Sequence, residues 1–174
     1  MSEDTQNPTH LGANALRAVF RLHASGVAVI TALDGTGNPL GFTATSVTSL
    51  GSNPPLVSFN IAQGSSSFPH LVPDSKVAIH TLGTQNLDLA QRMAGPKELR
   101  FASQDWEIGQ DGIPVFQSAT SYLIGTIREV FSVESNAVVV VAVESAHVNP
   151  EEQDPLLYFQ RGYLSTGTRL RDNF

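Results

Sequence analysis

Tight turns join most of the apolar stretches in this sequence, and that excludes most architectures at once. Val27 to Leu33 is a continuous apolar run, closed by Asp34-Gly35-Thr36-Gly37-Asn38, the residue mix of a hairpin loop. Leu40 to Leu50 returns as a strand, Asn53-Pro54-Pro55 breaks it, and Leu56 to Ile61 resumes. Lys76 to Leu82, Ala119 to Glu134, Asn136 to Val148 and Leu156 to Gln160 bring the count to about seven strands. A doubly wound parallel sheet needs a helix in nearly every gap. These gaps favour a mainly β fold, an antiparallel sheet closed into a barrel.

Two stretches read as helices. In Asn14 to His23, Leu16, Val19, Phe20 and His23 fall on one face, and Ser25-Gly26 stops the helix. In Thr84 to Ala94, Leu87, Ala90 and Ala94 share a face, and Gly95-Pro96 ends it. Phe68 to Val72 makes a single helical turn. Gly95 to Pro114 reads as irregular and carries the sole Trp. No repeat or composition shift divides the chain, so residues 14–166 form one domain between a flexible tail at 1–13 and a second at 167–174.

The 174 residues contain no cysteine, which excludes disulfides, thiolate zinc sites, iron–sulfur clusters and a thiol nucleophile. A formal charge of −6 without a basic stripe argues against a nucleic-acid partner. Charged residues make up 15%, well under the usual ~25%, which suits a chain that covers part of its surface in an oligomer. The polar start lacks the basic and apolar regions of a signal peptide, and the longest apolar stretch, Ala137 to Val143, is far short of the ~20 residues of a membrane helix. The expectation is a cytoplasmic protein with no membrane partner.

The five histidines, at positions 10, 23, 70, 80 and 147, show no metal-ligand spacing, so no metal site is expected. His80 is the one to watch, because it interrupts the apolar strand Val77-Ala78-Ile79-His80-Thr81-Leu82. Gly35 to Gly41 has the glycines but not the spacing or following helix of a dinucleotide loop, and reads as a hairpin. The strongest chemical signal is a hydroxyl cluster. Thr43, Thr45, Ser46 and Thr48 lie on one strand, and Gly64 precedes Ser65, Ser66 and Ser67. Hydroxyls and exposed backbone N–H groups hold a phosphate without many cations. Thr is equally a good strand residue and Ser a good loop residue, so the residues alone leave both readings open.

Gly41-Phe42-Thr43-Ala44-Thr45-Ser46-Val47-Thr48-Ser49-Leu50 followed by Pro54-Pro55-Leu56-Val57-Ser58-Phe59 resembles the flavin reductase-like family, with its FMN-binding split barrel. Gly26 to Thr31, the Ser65 to Ser67 loop, Val77 to Leu82 with Gln85 and Leu89-Ala90, Arg100-Phe101-Ala102, Trp106, Gly112-Ile113-Pro114 and Pro155 to Tyr163 are similar to later family blocks in the same order. The resemblance spans roughly residues 14 to 166.

The resemblance implies a homodimer of split barrels of six to seven antiparallel strands, holding FMN, or FAD, near the subunit interface. It implies hydride transfer from NAD(P)H and delivery of reduced flavin to a monooxygenase. Thr43, Thr45, Ser46, Val47 and Thr48 would line the isoalloxazine and ribityl; Asn60, Ala62, Ser65 and Ser67 the ribityl and phosphate. Arg100 and Phe101 would add charge and packing, and Arg161 and Tyr163 would close the site. His80 and Asn136 are candidates on the nicotinamide side. Family members carry Gly-Asp-His where this chain has Glu134-Ser135-Asn136, and Asn hydrogen-bonds but carries no proton. The catalytic side chain is therefore unassigned. The alternative is a flavin-binding protein or electron carrier without robust NAD(P)H oxidation.

Overall fold

The computed structural model describes residues 8–151 and 153–167. Twelve strands and two α-helices run in the order α1 (Pro8–Arg21), β1 (Ser25–Gly26), β2 (Ala28–Leu33), β3 (Pro39–Ala44), β4 (Thr48–Ser52), β5 (Pro55–Ala62), β6 (Lys76–Thr81), α2 (Leu87–Ala94), β7 (Glu107–Ile108), β8 (Pro114–Val115), β9 (Ser121–Val133), β10 (Asn136–Val148), β11 (Leu157–Phe159) and β12 (Gly162–Leu164). Single 3-10 turns occupy Phe68–His70, Thr84–Asn86 and Lys97–Leu99.

Seven strands form one antiparallel sheet in the order β3-β2-β6-β9-β10-β5-β4. Its two edges, β3 and β4, are separated by only Thr45, Ser46 and Val47. So short a link forces the sheet to curl until its edges meet, which makes it a barrel and hides both edges. Register shifts in β10 at Val140/Val141 and Val143/Ser145 add the local twist that curling needs. Gly125 sits against this bend: a Cβ there would lie 2.7 Å from Val141 Cγ1 and would also strike the Ala142 carbonyl.

Two cores follow from the curl. Ile30, Phe42, Val57, Phe59, Val77, Ile79, Ile127 and Val139 fill the barrel. Outside it, Val27 and Val29 pack with Leu89, Ala90 and Met93 of α2, and with Phe116 and Leu156. Ala28 to Ala32 is thus buried on both faces, which explains its unbroken apolar run. The buried stripe of α2 is Leu89, Ala90 and Met93, whereas Ala94 is exposed, so the helical face is rotated from the sequence expectation.

Three further expectations need correcting. Leu40 to Leu50 is not one strand but two, on opposite edges of the sheet. Pro8 to Ala13, assigned to a tail, belongs to α1; residues 1–7 and 168–174 lie outside the described residues. The irregular segment also contains the small β7–β8 hairpin.

Candidate flavin site

Two recesses share a wall where the outer face of β3 meets the end of α2 and the loop after β5. The first, about 290 Å³, brings together Thr43, Asn60, Ala62, Ser65 and Arg100, with Phe42, Ile61, Met93 and Ala94 as its apolar side. The second, about 270 Å³, holds Ser66, Ser67, Arg100 and Phe101 together with Gly41, His70 and Lys97. Arg100 borders both.

Local chemistry sets each of these groups. Thr43 Oγ1 donates to the Ala90 carbonyl at 2.6 Å, tying β3 to α2 and leaving the hydroxyl only as an acceptor. Gly41 lets α2 sit this close, since a Cβ there would lie 2.6 Å from the Ile30 carbonyl oxygen and 2.7 Å from Met93 Cε. The Ser loop is a run of tight turns: Ser65 N–H donates to the Ala62 carbonyl at 3.0 Å, Phe68 N–H to the Ser65 carbonyl at 3.1 Å, and Ser67 N–H to Ser65 Oγ at 3.3 Å. Arg100 Nε donates to the Gly95 carbonyl at 3.0 Å and Nη1 to the Gly41 carbonyl at 2.7 Å. Partial burial lowers its pKa, with Glu98 opposing. These two carbonyls fix the guanidinium plane and leave further N–H donors for an anion.

Seven candidates therefore converge: Thr43, Asn60, Ala62, Ser65, Ser67, Arg100 and Phe101. Asn136 lies one strand away, paired with Ala62, and its carbonyl accepts from Gln63 Nε2 at 2.9 Å. Thr45, Ser46, Val47 and Thr48 line neither recess. Ser46 Oγ instead accepts the Asn60 N–H at 2.9 Å, Val47 packs against the barrel core, and Thr45 and Thr48 are exposed.

His80 is not on a site wall. It is fully buried; Phe116 N–H donates to its Nε2 at 3.1 Å, and its Nδ1 lies 3.1 Å from the Val29 carbonyl. Burial lowers its pKa to about 4, against the Val29 carbonyl's opposing pull, so the ring is a neutral staple between β2, β6 and the segment after β8. Arg161 and Tyr163 also lie outside the recesses. Gln160 and Arg161, with φ of 50° and 66°, form the turn between β11 and β12, and the Gln160 N–H donates to the Arg21 carbonyl of α1. Tyr163 packs edge-on to Tyr158 at 5.3 Å.

Sequence reasoning missed Met93, Ala94, His70 and Lys97. Only the packing of α2 on β3 shows that the end of the helix borders a recess.

The family model described as flavin reductase like domain matches residues 20–167. The chain belongs to this family. Among its relatives, the NADH:FMN oxidoreductase of Rhodococcus erythropolis is 38% identical over 159 residues, covering 89% of this chain and 82% of the relative. The 4-hydroxyphenylacetate 3-monooxygenase reductase component of Pseudomonas aeruginosa is 30% identical, covering 81% and 85%. The crystal structure of a flavin reductase domain protein from Arthrobacter sp. FB24 superposes with a TM-score of 0.85 at 40% identity, covering 93% of this chain and 99% of that one. The split-barrel expectation holds, and the two recesses lie on a flavin reductase scaffold.

Whether the residues fit a flavin is a question about donors and shape. The first recess pairs an apolar wall with hydroxyl and amide groups, and the second adds Lys97 and Arg100 beside Ser66 and Ser67, with Asp34 and Glu98 also on its lining. An apolar wall suits an isoalloxazine, and the Ser hydroxyls with Arg100 suit a phosphate held without a net positive lining, so the residues fit a flavin.

Proposed function

We propose that this protein is an NAD(P)H-dependent flavin reductase that holds FMN, or FAD, across the two recesses and supplies reduced flavin to a partner monooxygenase. The carrying observation is the convergence of Thr43, Asn60, Ser65 and Arg100 on one wall of a flavin reductase fold. A bound flavin supplies the hydride-accepting ring. Phe42, Ile61 and Met93, buried behind the first recess, give it an apolar backing. Asn60 and the Ser65 hydroxyl orient the polar chain that leads away from it. Arg100, pinned by two carbonyls, neutralises the phosphate together with Lys97, while Phe101 packs at the mouth of the second recess. Asn136, beside Ala62 in register, sits on the nicotinamide side as a hydrogen-bonding group and not as a proton carrier.

The relatives support dinucleotide oxidation and the oxygenase partner: one is an NADH:FMN oxidoreductase and another the reductase component of a monooxygenase. A homodimer accounts for α1, where Leu16, Val19 and Phe20 on the helix and Leu22 just after it are each more than half exposed. Among the described residues no helix is long and apolar enough to cross a membrane, and use of a dinucleotide co-substrate supports a cytoplasmic location.

The test is a steady-state assay crossing FMN, FAD and riboflavin with NADH and NADPH. Flavin-dependent oxidation of either dinucleotide is expected. Flavin binding without oxidation would convert the protein to a carrier, and absence of flavin affinity would overturn the site as well. Sedimentation velocity reads the dimer independently.

A further inference from the structure

A third recess, about 450 Å³, is not the candidate flavin site and shares no residue with it. It lies between the β7–β8 hairpin and the outer ends of β9 and β10. Its apolar floor comes from Ile113, Val115 and Ile124, a small core of their own with Ala78. Tyr122 and His147 form one wall, their rings stacked 5.1 Å apart at 22°. Glu107 and Asp111 stand on the rim.

We propose that this recess binds a small aromatic amine, its ring on the Tyr122–His147 wall and its ammonium between Glu107 and Asp111. Charge decides the class of ligand. Glu107 and Asp111 are the two carboxylates on the lining, and Asp111 shares the Lys76 ammonium with Glu144 outside it. Lys76 Nζ lies closer to Glu144, at 3.1 Å, than to Asp111, at 3.6 Å. Glu107 Oε1 accepts from Gln117 Nε2 at 2.9 Å, a neutral donor that leaves its charge uncompensated. No arginine lines the recess, so an anion has no partner there. Among the described residues no group of three acidic or histidine side chains is arranged for a metal ion, which leaves an organic cation.

The wall decides the shape. Tyr122 and His147 are stacked, and His80 lies behind Tyr122, tilted by 42° with centroids 5.5 Å apart. His80 closes the buried end. His147 is exposed, so the pair offers its outer side to a ligand ring. The same chain of rings continues inward. His80 touches Phe116 at 5.6 Å, Phe116 touches Phe101 at 6.0 Å, and Phe101 touches Trp106 at 5.3 Å. Trp106 is the sole tryptophan and directly precedes Glu107, so it reports occupancy of the rim.

The test uses calorimetry and Trp106 fluorescence on the full chain with phenethylamine. Phenylacetate carries the ring with opposite charge, and butylamine the charge without the ring. Phenethylamine is expected to bind near or below about 1 mM, with both controls at least about tenfold weaker. The Glu107→Gln/Asp111→Asn double variant should lose about tenfold in phenethylamine affinity with thermal unfolding and FMN-dependent activity unchanged. His147→Ala should weaken phenethylamine but not butylamine. Absent phenethylamine binding, equal binding of phenylacetate, or an unaffected double variant would each overturn the proposal. The binding and unfolding readouts do not depend on the flavin reading; only the activity control does.

Discussion

Ser46 Oγ accepts the backbone N–H of Asn60 at 2.9 Å, a bond that joins the turn between β3 and β4 to the strand beside it. The pair closes the barrel at the point where the sheet edges meet. It also holds the backbone of a residue that lines the first recess. Ser46 was expected to touch the flavin directly, but its hydroxyl acts on Asn60.

Ser46→Ala removes the acceptor and leaves that N–H to water. The site is half-buried, so the expected loss is about 1 kcal/mol in urea unfolding. FMN affinity should fall less than about threefold, because Asn60 loosens but the recess stays intact. A large loss of affinity with unchanged stability would return Ser46 to direct contact.

Arg100→Gln separates phosphate recognition from ring binding. The variant keeps a donor for one carbonyl but removes the charge. A charge-assisted hydrogen bond contributes about 1.5–3 kcal/mol, so the KM for FMN should rise about tenfold or more. Riboflavin, which has no phosphate, should be used as well as by the unaltered protein. Equal losses for both flavins would mean that Arg100 only braces Gly41 and Gly95.

The barrel was legible because its signals are local: turn residues at Asp34 to Asn38 and long β-branched runs in β9 and β10. The split at Thr45 to Val47 was not, since that link contains no Gly, Pro or Asn and its outer residues favour strands. The short β7 and β8 carry too few residues for a period. The hydroxyl signal pointed to strands that border the first recess but not to which of their hydroxyls line it. Which of Thr43, Ser46 and Thr48 face a recess depends on where the sheet edge turns, a long-range property. His80 was misplaced for the same reason: its partners, Val29 and Phe116, are distant in sequence.

Gly125→Val tests the bend between β9 and β10. A side chain there meets Val141 Cγ1 and the Ala142 carbonyl, and the carbonyl belongs to the ladder and has no room to yield. Overpacking of this kind costs about 1–3 kcal/mol or more, so the variant should unfold at clearly lower urea concentration. Unchanged stability would show that the bulge in β10 relaxes freely.

His80 gives the protein an acid sensitivity with a defined window. Its folded pKa is lowered to about 4 by burial, against the ordinary imidazole value of 6.5. Between those values the unfolded chain binds a proton that the folded one excludes, so unfolding is favoured as pH falls. Stability should be fully present above pH 6.5 and decline by roughly 3 kcal/mol on going down to pH 4. Carboxylates held low in the fold, such as Glu144, act below their own ordinary range and add to the loss only at the acid end. His80→Leu isolates the effect. It strands the Phe116 N–H and the Val29 carbonyl, costing about 2–4 kcal/mol at neutral pH, and it abolishes the slope between pH 6.5 and 5. Urea midpoints measured at half-unit steps for both proteins read the two effects separately. A slope that persists in the variant would assign the sensitivity to other groups.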